Sequence, residues 1–307
     1  MLTKIDIIMA TYNGGKYIEN QLLSILQQTH KDWVLYVHDD GSSDDTLEVV
    51  KKYAEIDKRI NIIDDEIEGL GAGRNFLHTL KYSQQDYAIF CDQDDIWLEN
   101  KLVELLEEIK KIDSVDDPVL VYSDGYSWDE DGFIHQDSIS TEHAKNLQDF
   151  IMFNGGYQGC SIMMNKSLIE LTKRYSGYVY HHDDLVSLIA HTFGKVKFYP
   201  KQLMLYRQHG EAVTGNKDFK KRKFYGVFNN AGYVISKAHF RSKTEFYNFF
   251  ENEMSVENKN IFRSYFEYCS EKNRFKRALK LRRSLLSWGG DRNKILAKTL
   301  VQRLFDK

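Results

Sequence analysis

Three carboxylates fall within four positions in the run Phe90-Cys91-Asp92-Gln93-Asp94-Asp95-Ile96-Trp97, directly after the apolar stretch 87–91. A strand that ends in clustered aspartates sets several hard oxygen ligands along one sheet edge. That suits Mg²⁺ or Mn²⁺, which prefer one or two protein carboxylates together with phosphate oxygens of a substrate. A solvated acidic turn that caps the next helix has the same composition, so the context decides between the two. Asp39-Asp40-Gly41-Ser42 poses a similar choice. It reads either as a capping turn or as the wall of a polar pocket, where a carboxylate accepts the N3–H of a uracil or thymine ring. Thr11-Tyr12-Asn13 would lie beside it, with Tyr12 available to pack on the base.

Three further groups carry chemical potential. Gly69-Leu70-Gly71-Ala72-Gly73-Arg74-Asn75 has the wrong spacing for a dinucleotide fingerprint and follows a third strand instead of the first. Arg74, at a helix start, reads as a diphosphate contact aided by the positive helix end, or as a surface arginine. His181-His182-Asp183-Asp184 heads a helix. Adjacent ligands rarely converge on one metal, capping accounts for either aspartate, and a carboxylate facing a cleft there can act as general base on a hydroxyl. Arg207-Gln208-His209-Gly210 follows a strand and offers a metal or diphosphate contact, or an exposed loop imidazole.

The elements that must position these residues alternate. Apolar strands are expected at 5–10, 33–38, 60–63, 87–91 and 119–123. Helical patterns lie between them, through Ile18, Leu22, Ile25 and Leu26 (with Asn13 as N-cap), then Leu47, Val50 and Ala54, then Phe76, Leu77 and Leu80, then Leu102, Leu105, Leu106 and Ile109. Strands spaced by single helices imply βαβ units and a mostly parallel sheet covered on both faces. Ligands of such sheets bind beyond the carboxyl ends of the strands, where these loops fall. From about residue 124 the pattern is mixed, with Gly- and aromatic-rich stretches at 125–133 and 155–159. A helix follows through Leu185, Leu188 and Ile189, then a strand pair near 196–199 and 203–206.

Composition bounds the class. With 307 residues, 42% hydrophobic and 28% charged, the chain can bury a large core, and a net charge of −3 does not suit a nucleic-acid-coating protein. The three cysteines are far apart and lack metal-type spacing, and residues 1–6 carry no apolar leader, so a cytoplasmic location is expected. Residues 217–307 are helical, aromatic and basic; between Lys272 and Lys307 there are 12 Lys/Arg against two Asp/Glu. This divides the chain into a domain at 1–215 and a basic helical region at 216–307. Docking on an anionic membrane is one use of such a region, at the inner face of the cell membrane; a helical lid or an oligomer contact is the other.

Thr11-Tyr12-Asn13, Asp39-Asp40-Gly41-Ser42-Ser43-Asp44-Asp45-Thr46 and Asp92-Gln93-Asp94-Asp95, in this order and spacing, resemble family 2 glycosyltransferases of the GT-A fold over roughly residues 4–210. Asp92–Trp97, His182-Asp183 and Tyr206–Gly210 are similar to the bacterial rhamnosyltransferase-like branch, which builds capsule, O-antigen and cell-wall polysaccharides. The resemblance implies an inverting, Mn²⁺- or Mg²⁺-dependent transfer from a nucleotide-diphosphate sugar to a saccharide or lipid-linked acceptor. dTDP-rhamnose is the first choice of donor, with UDP-hexoses open. It implies that Asp94 ligates the metal, that Asp92 contacts the ribose or a metal-bound water, and that Asp39 or Asp40 reads the base. It also implies that Asp183, or Asp184 beside it, is the catalytic base and that His209 adds a metal or phosphate contact; Thr11, Tyr12, Asn13, Arg74 and Arg207 complete the expected donor-binding set. The branch tends to carry aromatic residues after its His-Asp pair, where Asp184 and Leu185 stand here. Two other readings of the same acidic cluster are a metal-dependent nucleotidyltransferase or phosphohydrolase, and a non-catalytic carbohydrate-binding protein. The first lacks a P-loop or an Asp-x-Asp-x-Thr motif after the first strand, and the intact carboxylates speak against the second.

Overall fold

The structure, a computed structural model, describes residues 3–129, 131–209 and 232–306. The first half follows the alternating pattern. Strand β1 (Ile5–Thr11) is buried along its whole length and pairs in parallel with β2 (Trp33–Asp39) and β4 (Tyr87–Cys91); β2 pairs with β3 (Ile60–Ile62). Continuous apolar runs of this kind are what a sheet covered on both faces requires. Helices α1 (Gly15–Leu26), α2 (Thr46–Ile56) and α3 (Ala72–Leu80) provide the crossovers.

The second half brings β5 (Ile96–Trp97), α4 (Lys101–Lys110), β6 (Val119–Asp129), β7 (Ile134–Ser138), α5 (Leu147–Phe150), β8 (Ile162–Asn165), α6 (Lys166–Arg174), α7 (His182–Phe193) and β9 (Lys195–Gln208). The nine-stranded sheet has the order β3-β2-β1-β4-β8-β6-β9-β5, with β7 paired to β6. Strands β1, β2, β3, β4, β6 and β9 run one way, and β5, β7 and β8 oppose them. The fold is therefore α/β with a mostly parallel sheet.

Two local readings are corrected. The strand pair expected near 196–199 and 203–206 is the single strand β9, whose pairing to β6 jumps from Tyr199 to Gln202. Pro200 lies in the skipped segment, and a bulge is where a residue without an N–H fits a sheet. Strand β8, inserted antiparallel between β4 and β6, had no counterpart in the expected elements, because four residues, Ile162-Met163-Met164-Asn165, carry no periodicity.

The C-terminal region comprises β10 (Tyr233–Ile235), α8 (Lys237–Phe250), α9 (Val256–Ser270), α10 (Arg274–Arg283), α11 (Arg292–Val301) and β11 (Arg303–Phe305), with β10 and β11 pairing in parallel. Each helix start is capped by a side chain: Ser236, Ser255, Asn273 and Asp291 accept from backbone N–H groups of the first turn. The boundary expected at 215/216 lies outside the described residues. Phe246, Phe250, Phe262, Tyr265 and Tyr268 share one apolar core with Phe150, Leu185, Leu188 and Ile189 of the sheet-bearing part. Among the described residues no helix is long and apolar enough to cross a membrane.

Because this core is shared, Phe246→Ala should destabilise the whole molecule and not a separate C-terminal unit. Phe246 is fully buried against Tyr175, Phe193, Phe250 and Phe262, so a loss of about 3–5 kcal/mol is expected. Urea unfolding followed by far-UV circular dichroism should show one transition at lower midpoint; an unchanged midpoint would contradict the shared core.

Candidate active site

Strands β1, β2 and β4 are adjacent, so their outgoing loops meet at one sheet edge. The first two loops are stitched together by small polar groups. Asn13, with a left-handed φ of 47°, donates its backbone N–H to Ser42 Oγ at 2.8 Å and accepts from Ser43 N on Oδ1 at 2.8 Å. It is thus a loop clasp; the N-cap of α1 is Gly14, whose N–H donates to Thr46 Oγ1 at 2.8 Å. Gln93 brackets Tyr12 with both ends of its amide, accepting from Tyr12 N at 2.9 Å and donating to Tyr12 O at 3.0 Å. The Tyr12 ring remains 57% exposed at the cavity mouth.

A cavity of about 970 Å³ opens where these loops meet, lined by Thr11, Tyr12, Asn13, Asp40, Asp92, Asp94, Asp183, Arg207 and His209. Of the sequence-derived candidates, Asp39, Arg74 and Asp184 are not brought to its wall. Asp39 spends its carboxylate on the loop, accepting from Thr11 Oγ1 at 2.7 Å, Ser42 Oγ at 2.6 Å and Ser42 N at 2.7 Å. Asp40 does line the cavity, with its two oxygens accepting from Leu70 N and Gly71 N at 2.7 Å each. Arg74 is exposed on α3, a helix whose inner face offers Asn75 and Phe76 to the cavity.

In the acidic loop, Asp92 and Asp94 are half-buried and Asp95 is buried. Asp94 Oδ2 lies 2.7 Å from His209 Nε2, and its carbonyl accepts from Arg207 Nε at 2.7 Å. Asp95 Oδ1 accepts from Arg207 N at 3.0 Å. The guanidinium of Arg207 lies 3.7 Å from the Trp128 ring centroid and 4.8 Å from that of Tyr17, which fixes its plane. Beneath the loop the fully buried Lys101 donates to Cys160 O at 2.7 Å. Burial and then the neighbouring charge of Asp94 push the Asp92 carboxyl up to about 7. Two carboxylates and an imidazole on one wall, with negative charge in excess, form a donor set suited to Mn²⁺ or Mg²⁺. Asp92, Asp95 and Cys160 also bring one ligand atom each within 4.8 Å of one another. Burial keeps that thiol protonated, however, and only Asp92 of the three faces the cavity.

The opposing pair at the start of α7 is divided. Asp183 faces the cavity, and burial followed by the charge of Asp184 pushes its carboxyl up to about 7. Asp184 is fully buried and turned away from the cavity, toward α8. His182 stacks on Phe76 at 4.0 Å and meets Phe90 edge-on, and burial lowers it to about 3, so it is a neutral packing group. The glycine-rich stretch 155–159 forms a packed wall beside this pair. A Cβ on Gly156 would overlap the Asp183 carbonyl and the Asp184 nitrogen, and one on Gly159 would overlap the His182 ring.

Three groups of the site escaped the reading of the sequence. Gln93 lay inside the acidic motif and had no assigned role, and Tyr17 gave no signal beyond its place on α1. Asn75 is oriented from behind by His38, whose Nδ1 lies 2.7 Å from Asn75 Oδ1 and whose Nε2 lies 3.2 Å from Asp65. Asp65 also bonds His78 and Tyr82, so this histidine–carboxylate cluster is internally satisfied.

Comparison with known proteins agrees with the geometry. Residues 6–172 match the model of glycosyl transferase family 2, and the chain belongs to that family of enzymes. It is similar to the dTDP-rhamnosyl transferase RfbG of Shigella flexneri, 29% identical over 243 residues, covering 73% of this chain and 80% of the relative. It is also similar to the UDP-Glc:alpha-D-GlcNAc-diphosphoundecaprenol beta-1,3-glucosyltransferase WfgD of Escherichia coli. There it is 39% identical over 99 residues, 32% of this chain and 38% of the relative. In fold it resembles S. aureus TarS in complex with UDP-GlcNAc (TM-score 0.53, 21% identity, 68% of this chain and 60% of TarS). It likewise resembles the mannosyltransferase PcManGT of Pyrobaculum calidifontis with GDP-Man and Mn²⁺ (TM-score 0.51, 16% identity, 69% and 59%). The sheet described above is thus a GT-A sheet.

The contact under Asp183 makes Gly156 a test of the site. Gly156→Ala must displace the Asp183–Asp184 peptide, and displacements near 1 Å in a reacting group cost about 10²-fold in rate. Sugar transfer should drop by that order while nucleotide affinity, measured by calorimetry, stays within about threefold. Equal loss of both would mean general collapse of the pocket.

Proposed function

We propose that this chain is an inverting, metal-assisted glycosyltransferase of bacterial surface polysaccharide synthesis. It moves L-rhamnose from dTDP-rhamnose to a saccharide or lipid-linked saccharide acceptor. The observation that carries the reading is Asp183, a cavity-facing carboxyl with raised proton affinity, in the same cavity as the acidic loop. The rhamnosyl donor draws its support from the relative RfbG, which aligns over most of both chains. UDP-sugars are the competing outcome of the donor test.

Asp40 and Tyr12 would hold the base, with Thr11 and Asn13 keeping the first loop in shape and Arg207 facing the diphosphate. Asp92, Asp94 and His209 would hold Mn²⁺ or Mg²⁺; when bound, such an ion offsets charge gathering on the departing diphosphate. Asp183 takes the proton of the acceptor hydroxyl as that oxygen attacks the anomeric carbon. One base and one displacement invert the anomeric centre. Retention through a covalent intermediate needs a carboxylate nucleophile as well, and Asp184, the carboxylate next to Asp183 in the chain, does not reach the cavity.

Donor binding and turnover should separate by residue. Asp94→Ala should abolish the chelator-sensitive rise in melting temperature produced by dTDP-rhamnose with Mn²⁺. Asp183→Asn should keep that rise and lose about 10²–10⁴-fold in transfer rate. In the wild type Asp183 must be ionised to accept a proton. The rate should therefore fall about tenfold per pH unit below about 7 and level off above it. Stabilisation by UDP alone would move the donor to a UDP-sugar, and full activity of Asp183→Asn would remove it as the base.

A membrane contact belongs to the same proposal. The free face of α10 carries Phe275 (72% exposed), Lys276, Leu279 (49%), Arg282 and Arg283, followed by Leu285 (69%). Exposed apolar groups ringed by cations fit the interface of an anionic bilayer. The full chain should sediment with phosphatidylglycerol vesicles and not with phosphatidylcholine ones, and Phe275→Ser/Leu279→Ser should release it. If the doubly substituted chain still sediments, or if that change instead dissolves a dimer in light scattering, α10 is not a membrane face.

A further inference from the structure

The carboxylate of Asp184 has no hydrogen-bond partner on either oxygen, although it is fully buried. Isolated burial of this kind is costly unless opposite charge or protons are supplied nearby. The supply comes from the C-terminal helices. His239 of α8 brings its Nε2, itself unpartnered, to 4.0 Å from Asp184 Oδ2, while its Nδ1 is held 2.5 Å from Ser236 Oγ. With Ser236 donating to Nδ1, the ring proton sits on Nε2 and points at Asp184. One turn on, the fully buried Lys243 donates to the carbonyl of Phe153, lies 5.8 Å from the Tyr265 ring centroid and opposes the desolvation of Asp184. Tyr265 of α9 adds a buried hydroxyl beside Cys269, and Tyr175, after α6, is a further titratable group whose charge couples to Asp184.

This cluster sits one residue from the candidate base. The backbone N–H of Asp184 donates to Asp183 Oδ1 at 2.7 Å, and Gly156 closes over the peptide between them. Any shift of Asp184 therefore moves the Asp183 carboxyl, and the charge of Asp184 is felt there. We propose that Asp184 is a positioning residue, anchored by Lys243 and His239, through which the C-terminal helices orient Asp183 and set its proton affinity. The family model ends at residue 172, before either half of this link. The inference rests on the reading of Asp183 as base for its catalytic meaning and on the packing alone for the link itself.

The groups that face Asp183 and Asp184 set the sign. Burial and then the charge of Asp184 raise the proton affinity of Asp183, Asp183 in turn adds to the charge that raises Asp92, and Lys243 acts on Asp184. Neutralising Asp184 must lower the pH at which Asp183 ionises. The test is a carboxyl-carbon NMR titration of the full chain labelled at aspartate, with Asp183 assigned by loss of its signal in Asp183→Asn, at fixed Mg²⁺. Asp184→Asn should lower the Asp183 midpoint by about one pH unit, and the acid limb of the rate profile should move with it. It should also lower the melting temperature, because Lys243 is left buried and unpaired. Asp184→Asn/Lys243→Met should recover most of that stability and keep the shifted midpoint, which preserves the test if the single variant folds poorly. An unmoved Asp183 midpoint in both variants would overturn the proposal. If the midpoint moves but Asp183→Asn transfers sugar normally, the link stands and the assignment of the base falls.

Discussion

Three aspartates of one loop are packed at the carboxyl end of a wholly buried strand, and most of the site follows from keeping them there. Like charges at such spacing repel strongly once water is withdrawn. The fold answers from three sides. Lys101 lies buried beneath the loop, the backbone and guanidinium of Arg207 hold Asp95 and the Asp94 carbonyl, and His209 pairs with Asp94. Both Arg207 and His209 come from the end of β9, a strand placed next to the loop by its pairing with β5. The bulged register of β9 is thus part of the active-site geometry. Asp92 stands at the cavity wall with its carboxyl pushed up to about 7, and a divalent cation shared with a diphosphate would offset its charge.

This arrangement explains which parts could be read from the sequence. Strands β1 and β4 are buried along their whole length and β2 largely so, all bounded by polar turns, so their residues are a nearly complete record of their environment. The loops leaving them carry the carboxylates, and the topology of an open α/β sheet brings those loops together. Strand β8 and the bulge in β9 obey other determinants. The first is too short for a period, and the second is fixed by cross-strand register, which no local window contains. Asp39 and Asp40 are equivalent as letters. Only the folded turn, in which Ser42 and Thr11 consume Asp39, shows that Asp40 reaches the cavity. Arg74 stands exposed on α3 while Asn75 and Phe76 line the cavity, a difference that side-chain direction on the helix decides.

The basic C-terminal region has two unlike faces. One is apolar and aromatic and completes the core that α7 and the sheet begin, so the region is not an optional appendage. The other, along α10, leaves large apolar groups among arginines and lysines in solvent. The apolar face also lies behind the cavity. The connection is mechanical: α8 touches α7 at its first turn, where Asp183 stands.

The division of labour between Asp183 and Asp184 follows from helix geometry. Successive residues of an α-helix project about 100° apart, so adjacent carboxylates at a helix start can be sent to different surroundings. Asp183 is directed to the side where the acidic loop lies and Asp184 to the side where α8 packs. An apolar residue at 184 would satisfy a buried helix contact without help. An aspartate there demands Lys243 and His239, and these are useful only if the charge is retained. Asp184, where the resembled branch tends to carry an aromatic residue, has its cation, Lys243, in the region beyond the family model. Asp184, His239 and Lys243 thus form one buried unit that ties the first turn of α7 to α8.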